Sequence, residues 1–211
     1  MHLYFAPLAC SMAARIAFYE AGVEARYIEV DTKTGRTVDG GDFLAVNPLG
    51  QVPVLHKDGG WLLTENAAIL QHVAERFPAA GPAPDDEQGR ARLREWLGFV
   101  STELHKAVLT PLLSADAPDG AKAFARERAG PPFDLLSRRL DGRAFLLDRF
   151  SVADAHLATV LNWVSAAGLD WAAWPAARAW HKAVLRRPSV ARAVAEERAL
   201  YAAEQARHAA A

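Results

Sequence analysis

Short apolar runs alternate with helical patterns over the first eighty residues, and helical patterns alone fill the rest. His2 to Phe5 is an apolar run, read as a strand. Ser11 to Ala21 spaces Met12, Ile16 and Tyr19 on one helical face and meets Gly22 as a stop. Arg26 to Asp31 alternates, which predicts a second strand. Residues 32–50 are polar and glycine-rich, with one short helical piece expected from Phe43 to Val46. Val54-Leu55-His56 and Trp61-Leu62-Leu63 flank Asp58-Gly59-Gly60, a hairpin signal. Glu65 to Phe77 carries Ala68, Ile69, His72, Val73 and Arg76 at amphipathic-helix spacing. The predicted order is βαβ, then ββα.

The pattern changes near residue 80. Phe77 to Pro84 holds three prolines and one glycine, and proline both lacks a donor and disfavours helix before it. We therefore read residues 78–87 as a linker between a domain at 1–77 and an all-helical domain at 88–211, an α+β chain. Asp85-Asp86-Glu87 opens a helix that runs through Trp96, Phe99, Val100 and Leu104 toward Pro111. A second pattern spans Gly120 to Leu140, and Gly130-Pro131-Pro132 must break or kink it. Ser151-Val152-Ala153-Asp154 starts a third helix like a capping box, with aspartate in place of glutamate. Pro175 suits the first turn of a fourth, reaching about Arg187. Pro188-Ser189 starts a fifth, and the alanine-rich tail is expected to fray.

Composition narrows the partners. The 211 residues are 51% hydrophobic and 23% charged, the balance of an ordinary globular protein. Basic and acidic residues nearly cancel, at a net charge of -1, which argues against nucleic acid and against anionic membranes as partners. No window reaches the roughly 18 apolar residues of a membrane helix. Pro7-Leu8-Ala9-Cys10 is faintly like a lipoprotein cleavage site, but no Lys or Arg precedes it. A cytoplasmic protein without a signal peptide is the expectation. One cysteine, Cys10, leaves no intramolecular disulfide and no multi-cysteine metal site, and no metal is expected.

Four places carry candidate chemistry. Cys10 lies between a strand and a helix start, where amide donors favour a thiolate. A buried structural cysteine is the equal alternative. Ser11 is most simply an N-cap, and a hydroxyl donor to a bound thiolate second. In Asn47-Pro-Leu-Gly-Gln-Val-Pro-Val-Leu55, a cis Val52-Pro53 bond would turn the Val52 N–H and C=O toward a ligand, although base rate favours trans. Thr64-Glu65-Asn66 opens a helix whose amides suit an anion, and Glu65 suits an amino group; a plain helix cap is the other reading. His105 sits beside Glu103 and Lys106 in the first long helix of the second half, where a surface or core role is the commoner one.

Together these stretches resemble a known family. Residues Tyr4 to Ser11, Asn47 to Pro53, Thr64 to Ile69, Ser101 to Lys106 and Ser151 to Asp154 are similar, in order and spacing, to the bacterial cytosolic glutathione S-transferases. Cys10 and Glu103-Leu104-His105-Lys106 resemble the beta class. The resemblance implies a thioredoxin-like first domain and a helical second domain. It implies a cis Pro53, with Val52 holding the cysteinyl backbone of glutathione and Glu65 and Asn66 the γ-glutamyl end. Cys10 would face the glutathione sulfur, with His105 reaching over and Ser11 nearby. Thr102, Glu103 and Lys106 would help bind glutathione, partly across a homodimer interface. Leu109, Leu112, Leu113 and Trp163 would wall the electrophile site.

The chain departs from the family at several positions. Asn66 replaces a small residue, Gly35 stands where a basic residue often holds the glycyl carboxylate, and Gly98 stands where an asparagine is common. Lys33 or Arg36 is the expected substitute for the basic residue. The implied activity is conjugation of glutathione thiolate to small electrophiles in a detoxifying role, with disulfide reductase or peroxidase side activity. Two rivals stay open. One is a reductase working through Cys10 alone, since Ala13 leaves no second cysteine. The other is a non-enzymatic transferase-like binding protein.

Overall fold

A computed structural model describes residues 1–57, 59–80 and 84–210. Five strands form one sheet in the order β3-β2-β1-β4-β5. They are β1 (His2–Phe5), β2 (Arg26–Asp31), β3 (Arg36–Thr37), β4 (Val54–His56) and β5 (Leu62–Leu63). Central β1 pairs parallel with β2, Leu3 opposite Tyr27, and antiparallel with β4, Leu3 opposite Leu55. The parallel pair needs a crossover, and α1 (Met12–Ala21) supplies it. Gly22 ends α1 at φ +62°, a left-handed conformation in which Gly lacks the Cβ penalty. The hairpin β4–β5 is antiparallel as expected, although Asp58 of its predicted turn lies outside the described residues. Helix α2 (Asn66–Arg76) follows.

Alternation along β1 sends Leu3 and Phe5 to one face, where Met12, Ile16 and Phe18 of α1 and Ile69 and Leu70 of α2 meet them. Tyr4 points the other way, onto a small cluster of Val30, Phe43 and Val54. Strand β3 was not anticipated; Thr37 pairs with Val30 and Arg36 with Asp31. Phe43 to Val46 forms a turn rather than the predicted helical piece. The Asp42 carboxylate accepts the Leu44 and Ala45 N–H groups at 3.0 and 3.3 Å, the local bonding by which Asp competes with helix.

Of the predicted linker, Pro78–Ala80 forms a single 3₁₀ turn, and Gly81, Pro82 and Ala83 lie outside the described residues. Helix α3 (Glu87–Phe99) is capped by Asp86, which accepts the Gly89 N–H at 2.7 Å. It passes directly into a π-helical stretch, Val100–Leu109, and then α4 (Thr110–Leu113). Helices α5 (Asp119–Arg128) and α6 (Gly130–Leu140) are broken at Ala129, where Gly130-Pro131-Pro132 was expected to interrupt. Helix α7 (Val152–Leu161) is the buried centre, started by Asp154, whose carboxylate accepts Ser151 N–H and Oγ–H at 2.9 Å each. Helix α8 (Pro175–Val184) stops short of Arg187.

Helix α9 (Pro188–Ala210) overturns the expected fraying. Arg207 pairs with Glu29, and His208 Nε2 lies 3.2 Å from Asp31 on β2, so the helix end is tied to the sheet. Both α7 and α9 pack on α1, and one apolar core runs through both halves of the chain. No helix among the described residues is long and apolar enough to cross a membrane.

Candidate active site

The turn between β1 and α1 is held from two sides. The Ser11 hydroxyl, fully buried, donates to Ala6 O at 3.2 Å and lies 3.3 Å from Ala6 N–H as acceptor. It neither caps α1 nor faces the cavity, which corrects both roles expected of it: its hydrogen bonds close the turn instead. Leu8 has φ +57°, a left-handed conformation costly for a branched side chain. Its N–H donates to Glu197 Oε2 and its carbonyl accepts Trp163 Nε1–H, both at 2.8 Å. Glu197 is buried and accepts Arg15 Nε–H at 2.9 Å. The Arg15 guanidinium lies 4.3 Å from the Phe5 ring centre and 3.9 Å from that of Tyr27. Helical-domain groups thus fix the backbone just before Cys10.

Cys10 donates its thiol to Val52 O at 3.3 Å. Burial pushes the thiol up to about 11, and Lys106 and the Cys10 and Ser11 amides offset only part of that rise. Of the two readings of Cys10, this environment favours the protonated, buried thiol over the thiolate, because desolvation outweighs the amide field.

Two chambers meet at Cys10 and His105. The first, of about 380 Å³, is lined by Cys10, Val52, Pro53, Glu65, Asn66, Thr102, His105 and Lys106, all expected from the sequence. The Val52–Pro53 bond is cis. Asn47 Nδ2 donates to Gln51 O at 2.7 Å and shapes the turn leading to it. Glu65 has φ +64°, and Asn66, 9% exposed, has neither side-chain nitrogen nor oxygen partnered among the described residues. Asn47, Leu49, Gln51, Thr64, Ala67, Gly98 and Ser101 also line this chamber and were missed as site residues. Gly98, Ser101, Thr102, His105 and Lys106 recur at helical spacing, a signal that was available in the sequence.

The second chamber, of about 720 Å³, lies between the Leu8–Cys10 turn and the helical half. His105 packs on Trp163 with ring centres 4.9 Å apart. Burial and the neighbouring Lys106 charge push the His105 imidazole down to about 4, so it is neutral at pH 7. Leu113 and Trp163 line this chamber as expected. Leu109 does not: it is fully buried in the core. Leu112 packs on the core beside it and does not line the chamber. Val194, Arg198 and Tyr201 of α9 contribute a wall that was not anticipated.

Two further expectations, Lys33 and Arg36, fail on geometry, and Glu103 lies away from both chambers. Lys33 Nζ lies 3.2 Å from His208 Nδ1, and Arg36 donates to Gly40 O at 2.8 Å; neither lines either chamber. The loop's cations turn toward α9 and their own turn. Glu103 accepts the Thr102 hydroxyl at 3.0 Å and lines a separate groove with Arg128 and Pro131.

Comparisons with known proteins agree with this geometry. The glutathione S-transferase N-terminal domain family matches residues 1–75, and the glutathione S-transferase C-terminal domain family residues 99–188. The chain is 36% identical to glutathione S-transferase GstA of Escherichia coli O157:H7, covering 93% of this chain and 98% of that protein. It is 33% identical to glutathione S-transferase GST-4.5 of Xanthomonas campestris pv. campestris, with the same coverage of 93% and 98%. Among solved structures, the ternary complex of BphK, a bacterial GST, superposes with TM-score 0.89 at 38% identity, over 93% of this chain and 99% of that one. A sphingomonad glutathione S-transferase complexed with glutathione gives 0.87 at 41% identity, over 93% and 98%.

Proposed function

Because the chain belongs to the glutathione S-transferase family and is a glutathione transferase, we propose that its two chambers divide the reaction between thiol and electrophile. Glutathione occupies the first chamber. Val52 pairs with its cysteinyl backbone, while Glu65 and Asn66 hold the γ-glutamyl end, Glu65 by its charge on the α-ammonium group. Thr102 and Lys106 close the opposite wall. The observation that carries this reading is that Cys10 and His105 line both chambers, so a sulfur placed between them faces the electrophile.

A free thiol of pKa about 8.5 is mostly protonated at pH 7. The neutral His105 imidazole donates an N–H to the glutathione sulfur, and Lys106 adds positive field, both favouring the thiolate. The thiolate attacks the electrophilic carbon; a C–S bond forms and the leaving group departs with the electron pair. Cys10 acts as a neutral thiol that orients the Val52 carbonyl. Its raised pKa disfavours the rival reductase route, which requires Cys10 as nucleophile.

The wider reading is a cytoplasmic homodimer with a detoxifying role. Residues 1–77 would be the glutathione-binding domain, 78–87 the linker and 88–211 the helical domain. Glu103 is left for the dimer interface rather than this subunit's chamber. Conjugation of glutathione to 1-chloro-2,4-dinitrobenzene tests the activity, and His105→Ala should lower kcat while the protein stays folded. Sedimentation at micromolar concentration should give twice the chain mass of 22.9 kDa. A monomer there, or full activity in His105→Ala, refutes the corresponding claim.

A further inference from the structure

The second chamber is one-sided in charge. Among the described residues no carboxylate lines it, and Arg198, an exposed side chain, is its one full cation. Among the described residues Arg198 has no hydrogen bond or ion pair, whereas the two other arginines of α9 are engaged, Arg192 with Glu196 and Arg207 with Glu29. A second observation is independent of it. One end of the Asn162 amide meets His181 Nε2 at 3.1 Å, and the other end is buried without a partner at the same chamber. Buried polar groups without partners are rare in folded proteins, because each costs desolvation without a compensating bond. Leu8, Leu113, Trp163 and Val194 supply the large apolar side chains of the wall, beside the hydroxyl-bearing Thr32, Thr110, Ser114 and Tyr201, and about 720 Å³ suits a small aromatic molecule.

We propose that the electrophile accepted by this chamber is an aromatic-sized molecule carrying a carboxylate, which Arg198 pairs with at the rim. This rests on the transferase reading above. The apolar body lies against Trp163 and Leu113 with its reactive carbon toward Cys10 and His105. The carboxylate takes the Arg198 guanidinium in a bidentate pair, the geometry for which arginine is suited and lysine is not. The unpartnered end of the Asn162 amide serves a neutral polar group of the same molecule. For a haloaryl carboxylate the step balances simply. The glutathione sulfur bonds the ring carbon, the carbon–halogen bond breaks, and halide leaves with the electron pair. The thiol proton goes to solvent.

The test compares two probes of one reactivity class, 4-chloro-3,5-dinitrobenzoate and 1-chloro-2,4-dinitrobenzene. It uses wild type, Arg198→Gln and Arg198→Lys, with equilibrium binding of unreactive 3,5-dinitrobenzoate measured in parallel. Arg198→Gln should lower the benzoate-to-neutral ratio of kcat/KM about tenfold, mainly through KM, as loss of one charge-assisted pair implies. Arg198→Lys should recover part of that ratio. Added salt should raise the benzoate KM more than the neutral one. An unchanged ratio in Arg198→Gln overturns the proposal, as does an effect confined to the glutathione KM. If wild type turns over neither probe, the transferase reading fails. The anion site is then judged by binding alone: 3,5-dinitrobenzoate weakened about tenfold in Arg198→Gln upholds it, and equal affinity overturns it.

Discussion

The two chambers that meet at Cys10 are assembled differently. The first takes most of its wall from two short segments, residues 47–53 and 64–67, and one helical face from 98 to 106. The second joins Pro7–Cys10 of the β1–α1 turn to Thr32 of the β2–β3 loop, His105, the α4 region, the segment after α7 and one face of α9, pieces far apart in sequence. A wall made of contiguous turns is set by local chemistry and survives loss of one side chain. A wall made of distant pieces depends on what holds those pieces together. Here that is the Leu8 turn, pinned by Glu197 and Trp163.

The largest effect should therefore come from the pins. Glu197→Ala leaves Arg15 buried without its nearest carboxylate and the Leu8 N–H without an acceptor. Breaking one partner of a buried pair costs about 3–5 kcal/mol. Urea unfolding should show that loss, and a midpoint equal to wild type would mean the clamp carries no stability. Glu65→Ala probes the other chamber. Glu65 is exposed and has no structural bond to lose, so stability should stay within about 0.5 kcal/mol. Glutathione affinity should fall by about 1.5–3 kcal/mol, the range for a hydrogen bond to a charged group. Calorimetric titration reads the affinity; an unchanged Kd removes Glu65 from the γ-glutamyl site.

How much of each chamber was legible follows the same division. Val52-Pro53 and Glu65-Asn66 could be read as ligand-facing, the first pair through the family resemblance and the second also from the free amides of a helix start. Thr102, His105 and Lys106 came from the family resemblance, and their shared helical face agrees with it. The misses came where long-range packing decides. Helical spacing says which face Leu109 is on, but not its depth, and it lies in the core one turn before the half-exposed Leu113. Ser11 was read forward along α1, whereas its hydroxyl turns back to Ala6. Lys33 and Arg36 were assigned by loop proximity, and the docking of the α9 end on β2 sent Lys33 to His208 instead. Arg198 had no local signal, because nothing near it in sequence says that α9 returns to the Cys10 turn. The five strands and the main helices needed only periodicity and punctuation, except two-residue β3, which exists through its pairing with β2.

A buried histidine separates the helical half further from the sheet. His156 of α7 is fully buried with both ring nitrogens unpartnered among the described residues. Burial pushes it down to about 3, with the nearby His105 adding in the same direction, and burial pushes His181 down to about 4. The sign follows directly. A folded-state pKa below the unfolded value of about 6.5 means the unfolded chain binds the proton more readily, so stability held above pH 6.5 is lost as pH falls toward 4. His156→Leu removes one such group and its unpaired nitrogens. It should stabilise the protein by about 1–2 kcal/mol at pH 7, and flatten the acid limb of a stability–pH curve. A steeper limb, or a large loss of stability, would show that His156 holds a bond that the present geometry does not contain.

The smallest effect is expected at Cys10, although it sits where the chambers meet. Its thiol donates to Val52 O and stays protonated, so Cys10→Ala removes one weak hydrogen bond and no nucleophile. Conjugation to a carbon electrophile should fall by about fivefold at most, the equivalent of about 1 kcal/mol. The thiol's own chemistry gives a sharper reading. With a pKa of about 11, the free protein holds roughly 300-fold less thiolate at pH 7 than a cysteine at 8.5. Iodoacetamide should therefore alkylate Cys10 slowly, with a rate rising tenfold per pH unit and no plateau below pH 10. Deprotonation also favours the unfolded chain, so stability from this group is present below about pH 9 and is lost as pH rises toward 11. A plateau near pH 7, or a glutathione mixed disulfide forming rapidly at neutral pH, would place a thiolate at the junction and restore the reductase route. Loss of conjugation by several orders of magnitude in Cys10→Ala would do so more directly, because only a nucleophile or its sole activator accounts for a loss of that size.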